Sequence, residues 1–205
     1  MGDAFPNQLH KGRLEALSDG VFAVVMTLLV LELKIDQLAP RATNSEIWSE
    51  LAKLRRPLLA YAFAFAITGA FWLLQHRKFQ LLAHTTVRHA WLTLAFLFWI
   101  TLLPFTLSVW IRTMNQGAGL VLFFAHLTLV AATLFAGWIE ARRSGLVVAE
   151  SAGPSKLIGY RIGSMVVGCI CATFVSIFWP PLAAPAMALP VVVGRVLSSR
   201  RAGAA

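Results

Sequence analysis

Charged residues and cysteines are both scarce in this chain of 205 residues. Asp, Glu, Lys and Arg together make up 13% of it, 58% is hydrophobic, and the mean hydropathy is +0.71. Because soluble domains are typically about one quarter charged, this composition excludes an ordinary soluble domain. The two cysteines, Cys169 and Cys171, lie in one apolar run, where helical spacing points their side chains apart. We interpret them as small buried residues and exclude a disulfide scaffold.

The short motifs that carry common enzyme chemistries are also missing. The sequence has no glycine-rich phosphate loop, no His-x-x-x-His zinc pair and no Gly-x-Ser-x-Gly elbow. His84 and His126 are isolated histidines without the spacing of metal ligands. We therefore expect no enzyme activity, no cofactor and no resident metal ion.

Six apolar segments approach the roughly 20 residues that a helix needs to cross a bilayer. They are residues 14–33, 58–74, 90–110, 120–139, 157–178 and 182–197. The sequence therefore predicts an all-α integral membrane protein, in which residues 1–205 form one domain of six transmembrane helices. Segment 1–12 precedes the first span and a tail, 198–205, follows the last. We expect the first span to be retained, because no small-residue cleavage site precedes it.

Two segments depart from this simple pattern. Prolines crowd the sixth span, which we expect to be kinked or partly re-entrant; they are Pro180, Pro181, Pro185 and Pro190. Between the first two spans, Asn44, Ser45 and Glu46 are typical of a helix start. We expect this helix to run along the membrane interface into the second span.

Basic residues predict the orientation. With the N-terminus in the cytoplasm, the inner segments hold the majority of the 18 Lys and Arg residues, although Lys53, Arg55 and Arg56 fall outside. Positive residues favour the cytoplasmic side, so both termini are predicted there, in the cell membrane. The net charge of +9 follows from this topology and from attraction to anionic lipid headgroups. Membrane lipids are therefore expected partners, and nucleic acid is not.

The first span has an apolar stripe and an acid that points away from it. At about 100° per residue, Val24, Leu28 and Leu31 share one face, Thr27 lies near its edge, and Asp19 lies about 140° from Val24. A carboxylate inside a bilayer costs at least ~3 kcal/mol, so we expect Asp19 to be buried against a partner.

Several donors for Asp19 are available near the cytoplasmic side. Arg13 lies on another face of the same helix and cannot pair with it there. The candidates are Trp72, His76, His89 and Arg13 of a neighbouring subunit. We favour a structural clamp, and a proton relay shared with His76 stays open.

The same residues carry a family resemblance. The pattern Arg13-x-x-x-Leu17-Ser18-Asp19-Gly20, followed by Thr27-Leu28-Leu29, resembles the first-helix signature of bacterial homologues of the lysosomal potassium channel, transmembrane protein 175. Trp72-x-x-x-His76 resembles the second helix of this family, and Pro104-Phe105 the end of its third. Leu17 replaces an aromatic residue of the signature, and Thr93 stands where an Asn is expected.

This resemblance implies a potassium-permeable channel. Four identical six-helix subunits would surround a central pore lined by their first helices. Arg13, Ser18 and Asp19 would belong to a structural polar network near the cytoplasmic end, to which we add Trp72 and His76 as donors.

Side chains must then control the pore, because carbonyls within a continuous helix are committed to their own hydrogen bonds. We predict that Val24, Leu28 and Leu31 form apolar rings that gate by dewetting, with Val24 and Leu28 the narrowest. Thr27 could offer its hydroxyl to a cation if that group is not bonded back to the helix. Two other functions stay open: a proton-coupled transporter that uses Asp19 and His76, and a non-conducting membrane scaffold.

Overall fold

The protein is described by a computed structural model over residues 8–34, 43–114, 116–148 and 152–202, with side chains up to residue 193. Helices dominate these ranges, as the sequence predicts. They are α1 (Lys11–Leu28), α2 (Asn44–Lys53), α3 (Arg55–Gln80), α4 (Val87–Thr101), α5 (Leu103–Arg112), α6 (Ala118–Arg143), α7 (Ala152–Phe178) and α8 (Ala183–Ala202). A 3-10 turn, Leu29–Glu32, continues α1, and another, Pro180–Leu182, precedes α8. An unpredicted antiparallel pair joins β1 (Gln8–Leu9) to β2 (Thr85–Thr86).

Five helical stretches of the described residues are long and apolar enough to cross a membrane. They are Lys11–Glu32, Arg55–Gln80, Val87–Arg112, Ala118–Arg143 and Gly153–Phe178. These stretches confirm the first five predicted spans and a multi-pass membrane protein. The sixth falls on α8, where the apolar part, Pro180–Val193, is shorter than the others. Pro190 inside α8 interrupts its hydrogen-bond ladder, so the sixth crossing stays a prediction.

The third span is two helices rather than the continuous one predicted. Pro104, the second residue of α5, has no N–H and ends the ladder, so α4 and α5 meet at Leu102. His126 of α6 bridges the break, because its Nε2 lies 2.9 Å from the Trp99 carbonyl oxygen and its Nδ1 lies 2.9 Å from Thr106 Oγ1. A carbonyl only accepts, so Nε2 carries the proton and His126 is a structural bridge.

The helix start predicted at Asn44 is confirmed by α2, whose N-cap is Thr43, and its position along the membrane interface stays a prediction. Thr43 Oγ1 accepts from the Glu46 backbone N–H, and Glu46 Oε2 accepts from the Thr43 backbone N–H over 2.7 Å. The latter bond is the main reason why the pKa of Glu46 lies below its usual value. A turn at Leu54 then leads into α3.

Helix α6 lies at the centre of the subunit, where it packs against α4, α5 and α7. On one side, α1 contacts α3, α4 and α5; on the other, α7 packs against α8. Gly168 makes the last contact close, because a Cβ at this position would lie 2.6 Å from the Met187 carbonyl oxygen. Cys169 beside it is buried, as expected, whereas Cys171 is half-buried; both are free thiols.

Candidate pore helix and polar clamp

Helix α1 has one buried and one exposed side. Ser18, Phe22 and Val25 of α1, with Leu29 of the 3-10 turn that continues it, recur at helical spacing. Each of these residues is at most 2% exposed. Phe22 contacts Phe96 of α4 with ring centroids 5.9 Å apart. Val24, Leu28 and Leu31 of the predicted stripe are 57%, 41% and 62% exposed. The stripe therefore lies on the surface of the single subunit and does not contribute to its core.

Thr27 lies on the exposed side of α1, beside this stripe. Its hydroxyl donates to the Val24 carbonyl oxygen over 2.7 Å, so it is bonded back to the helix. This bond uses the proton and leaves oxygen lone pairs free to accept. The condition that the sequence set for an ion-binding role, a hydroxyl not bonded back to its helix, is therefore not met, and such a role for Thr27 would depend on these remaining lone pairs.

Asp19 is exposed on the surface of the single chain, so its burial against a second copy stays a prediction. Of the expected donors, Trp72 reaches it, because its Nε1 donates to Asp19 Oδ1 over 2.8 Å. His89 does not reach it, since it is buried and its Nδ1 lies 2.8 Å from Thr85 Oγ1.

His76 packs on Trp72 and makes no hydrogen bond to Asp19. Its ring stacks on the indole with centroids 5.5 Å apart and an interplanar angle of 17°. Its Nε2 lies 3.0 Å from Gln80 Nε2, and its Nδ1 lies 3.4 Å from Glu15 Oε1. The approach to Glu15 is a contact and not a hydrogen bond, because His76 Nδ1 has no hydrogen-bond partner among the described residues.

Glu15 is the residue of this group that the sequence reasoning missed. Glu15 and Asp19 are four residues apart on α1, and Trp72 and His76 are four residues apart on α3. Two pairs with this spacing can meet along adjacent helices, which was the available signal.

The three polar residues of the first-helix signature do not bond to one another. Ser18 is buried and donates to the Leu14 carbonyl oxygen over 2.9 Å. Arg13 is exposed, and within the described part of the chain no side-chain partner is assigned to it. Thr93 of α4, which stands where the family resemblance leads us to expect an Asn, is fully buried, and its Oγ1 is unpaired among the described residues. The polar group that forms is therefore Asp19, Trp72, His76 and Glu15.

Comparison with known proteins gives this geometry a context. Residues 13–104 match the family described as endosomal/lysosomal potassium channel TMEM175. A potassium channel of Chryseobacterium sp. (strain P1-3) is 38% identical over 105 residues, which is 51% of this chain and 50% of that protein. A potassium channel of Chamaesiphon minutus is 39% identical over 100 residues, which is 49% of each chain.

The likeness in fold extends further than the likeness in sequence. A crystal structure of a TMEM175 homologue from Chamaesiphon minutus aligns with a TM-score of 0.78 and 24% identity. The alignment covers 92% of this chain and 97% of that one. By sequence, however, the chain matches about half the length of its curated relatives.

Proposed function

We propose that this chain is a member of the TMEM175 family, whose model matches residues 13–104, and that it is a potassium-permeable cation channel. In this proposal four six-helix subunits surround a pore lined by α1. The channel lies in the cell membrane with both termini in the cytoplasm.

The observation that carries the proposal is the exposure of one side of α1. Val24, Leu28 and Leu31 could by themselves face lipid. Asp19, which lies within this span, is also exposed, however, and a charge against lipid tails is costly, at ~3 kcal/mol or more. A second subunit removes this cost, because Arg13 of one copy can pair with Asp19 of the next. The apolar stripe then turns towards the axis between the copies.

Around such an axis, Val24, Leu28 and Leu31 form aliphatic rings. A ring narrow enough to shed water closes the pore without a moving plug. Thr27 lies between Val24 and Leu28 in sequence, and its outward lone pairs supply the acceptor that a partly dehydrated potassium ion needs. Potassium is thus the permeant ion, and the chain needs no cofactor or enzymatic step.

Ion flux in proteoliposomes tests this function. A channel passes potassium down its gradient when the proton driving force is zero, whereas a coupled transporter requires a proton gradient to accumulate its substrate. A scaffold passes nothing. We expect potassium flux at zero proton driving force. Its absence from liposomes that hold the folded, assembled protein would contradict the proposal.

A proton-coupled transporter is the second candidate, favoured by the row of Glu15, His76, Trp72 and Asp19. The row is interrupted, because Trp72 has one N–H and donates it to Asp19 while its ring only stacks on His76. The substitution His76→Gln separates the two functions: it abolishes coupling in a transporter and leaves passive potassium flux in a channel.

A further inference from the structure

A cleft of about 650 Å³ opens between α6 and α7 at their basic ends. Helix α6 contributes five of its lining residues, Phe135, Trp138, Ile139, Arg142 and Arg143. Helix α7 contributes Lys156, Gly159 and Tyr160. This cleft takes no part in the proposed pore, since neither helix belongs to the exposed side of α1.

The lining changes from apolar to basic along the helices. The α6 residues recur at spacings of three and four, so they form one stripe that begins with Phe135 and ends with Arg142 and Arg143. Lys156 of α7 lies at the same basic end. All three cations are exposed, and no acidic residue lines the cleft among residues 116–148 and 153–193, whose side chains the structure describes.

The nearest acid on α6, Glu140, is engaged elsewhere. Its Oε1 accepts from Ser144 Oγ over 2.8 Å, and its Oε2 lies 3.5 Å from Arg88 Nε. The carboxylate is 8% exposed and does not line the cleft. Glu140 therefore leaves the positive charge of Arg142, Arg143 and Lys156 available to an anion.

Aromatic residues form the floor and the mouth. Trp138 is 2% exposed and lies against the backbone of Gly159, where an added Cβ would be 2.9 Å from the indole Nε1. Tyr160 is 52% exposed beside it. Tyrosine and tryptophan concentrate at the level of lipid headgroups, so this end of the cleft is built for the membrane interface.

We propose that this cleft binds an anionic phospholipid. The headgroup phosphate lies against Arg142, Arg143 and Lys156, and an acyl chain follows Phe135 and Ile139 towards the bilayer centre. A free phosphate ion would contact only the basic end of the cleft, whereas a phospholipid would contact both the basic end and the apolar part of the lining. The site goes beyond the proposed channel function and does not depend on conduction.

Native mass spectrometry of the purified full-length protein tests the site with phosphatidylglycerol and phosphatidylcholine of identical acyl chains. The cleft variant is Arg142→Gln/Arg143→Gln. The matched control is Arg55→Gln/Arg56→Gln, an equally exposed pair of adjacent arginines at the start of α3. Each basic side chain near an anionic membrane contributes about fivefold in affinity, so the cleft variant should weaken phosphatidylglycerol binding about 25-fold.

The expected result is retention of phosphatidylglycerol over phosphatidylcholine, lost in the cleft variant and kept in the control. Equal retention of both lipids, or equal binding by the two double variants, would overturn the proposal. Full displacement of phosphatidylglycerol by millimolar glycerol phosphate would also overturn it, because a plain phosphate site would then suffice. If the double variant fails to fold, Lys156→Gln provides the same test with a loss of about fivefold.

Discussion

Trp72 of α3 donates its indole N–H to the carboxylate of Asp19 on α1 across 2.8 Å, between residues 53 positions apart in sequence. The bond fixes the exposed side of α1 relative to α3. It also leaves the second carboxylate oxygen of Asp19 available at the subunit surface, where a neighbouring Arg13 could reach it. One residue can thus stabilise the subunit and its assembly, and substitutions can separate these two roles.

The substitution Asp19→Asn should weaken assembly more than it weakens the subunit. The amide oxygen still accepts from Trp72, but the charge that would pair with a neighbouring Arg13 is lost. We expect a cost of about 1.5–3 kcal/mol at each subunit contact, measured as the protein concentration at which the oligomer dissociates in detergent. Glu32→Gln, at the other end of the same span, is the control. An oligomer of normal stability with altered ion preference would contradict the clamp.

The substitution Arg13→Gln tests whether Arg13 of a neighbouring copy is the partner of Asp19. If Arg13 and Asp19 pair between subunits, the double variant with Asp19→Asn should dissociate little more easily than either single variant. The same concentration series measures this coupling. Additive effects of the two substitutions would mean that they act at separate contacts.

The substitution Trp72→Phe should destabilise the subunit itself. It keeps a ring that can stack on His76 and removes the donor to Asp19, so we expect a loss of about 1–2 kcal/mol. Thermal unfolding in detergent measures it. Trp91→Phe is the control, because Trp91 is 68% exposed on α4. If both variants melt at the wild-type temperature, the bond contributes no measurable stability.

The substitution Leu28→Ala should raise potassium flux by widening an aliphatic ring and easing its wetting. Leu129→Ala is matched to it, since Leu129 of α6 is 44% exposed and Leu28 is 41% exposed. Flux assays in liposomes should find an increase for Leu28→Ala alone. Unchanged flux in a folded, assembled Leu28→Ala variant would remove Leu28 from the constriction.

Thr27 permits a matched pair of substitutions. Thr27→Ser keeps the hydroxyl and its bond to Val24, whereas Thr27→Val keeps the shape and removes the oxygen. We expect Thr27→Ser to retain the preference for potassium over sodium and Thr27→Val to reduce it, measured by reversal potentials in planar bilayers. Equal selectivity of the two variants would show that the oxygen takes no part in ion binding.

His126→Phe should destabilise the break between α4 and α5. The substitution removes one hydrogen bond from each of Thr106 and the Trp99 carbonyl, which keep their bonds to Leu103 and Leu102, so we expect a loss of about 1–3 kcal/mol in unfolding free energy. His84→Phe, in the turn before α4, is the control for the same change of residue type. Equal thermal stability of the two variants would exclude a structural role for the His126 bridge.

Some of these features were readable from the sequence because they depend on local composition. Runs of apolar residues as long as a bilayer is thick are expected to become spans, so five apolar helices long enough to cross it, and the start of α2, could be predicted. The projection of α1 also placed Val24, Leu28 and Leu31 on one face, which is exposed in the structure, since an α-helix has a fixed angle per residue. At Leu31 the projection is less accurate, because the 3-10 turn rotates by about 120° per residue.

The composition and local spacing of the sequence determined a multi-pass helical membrane protein and the ribbon of Val24, Leu28 and Leu31. Only the tertiary structure decided which donor meets Asp19. Trp72 and His76 lie four residues apart on α3, and the sequence gives no reason to prefer either as the donor. The packing of α3 against α1 directs the indole N–H at the carboxylate, while the imidazole stacks on the indole. The basic cleft likewise required the structure, because Arg142 and Lys156 come from different helices and only the packing of α6 against α7 brings them to one groove.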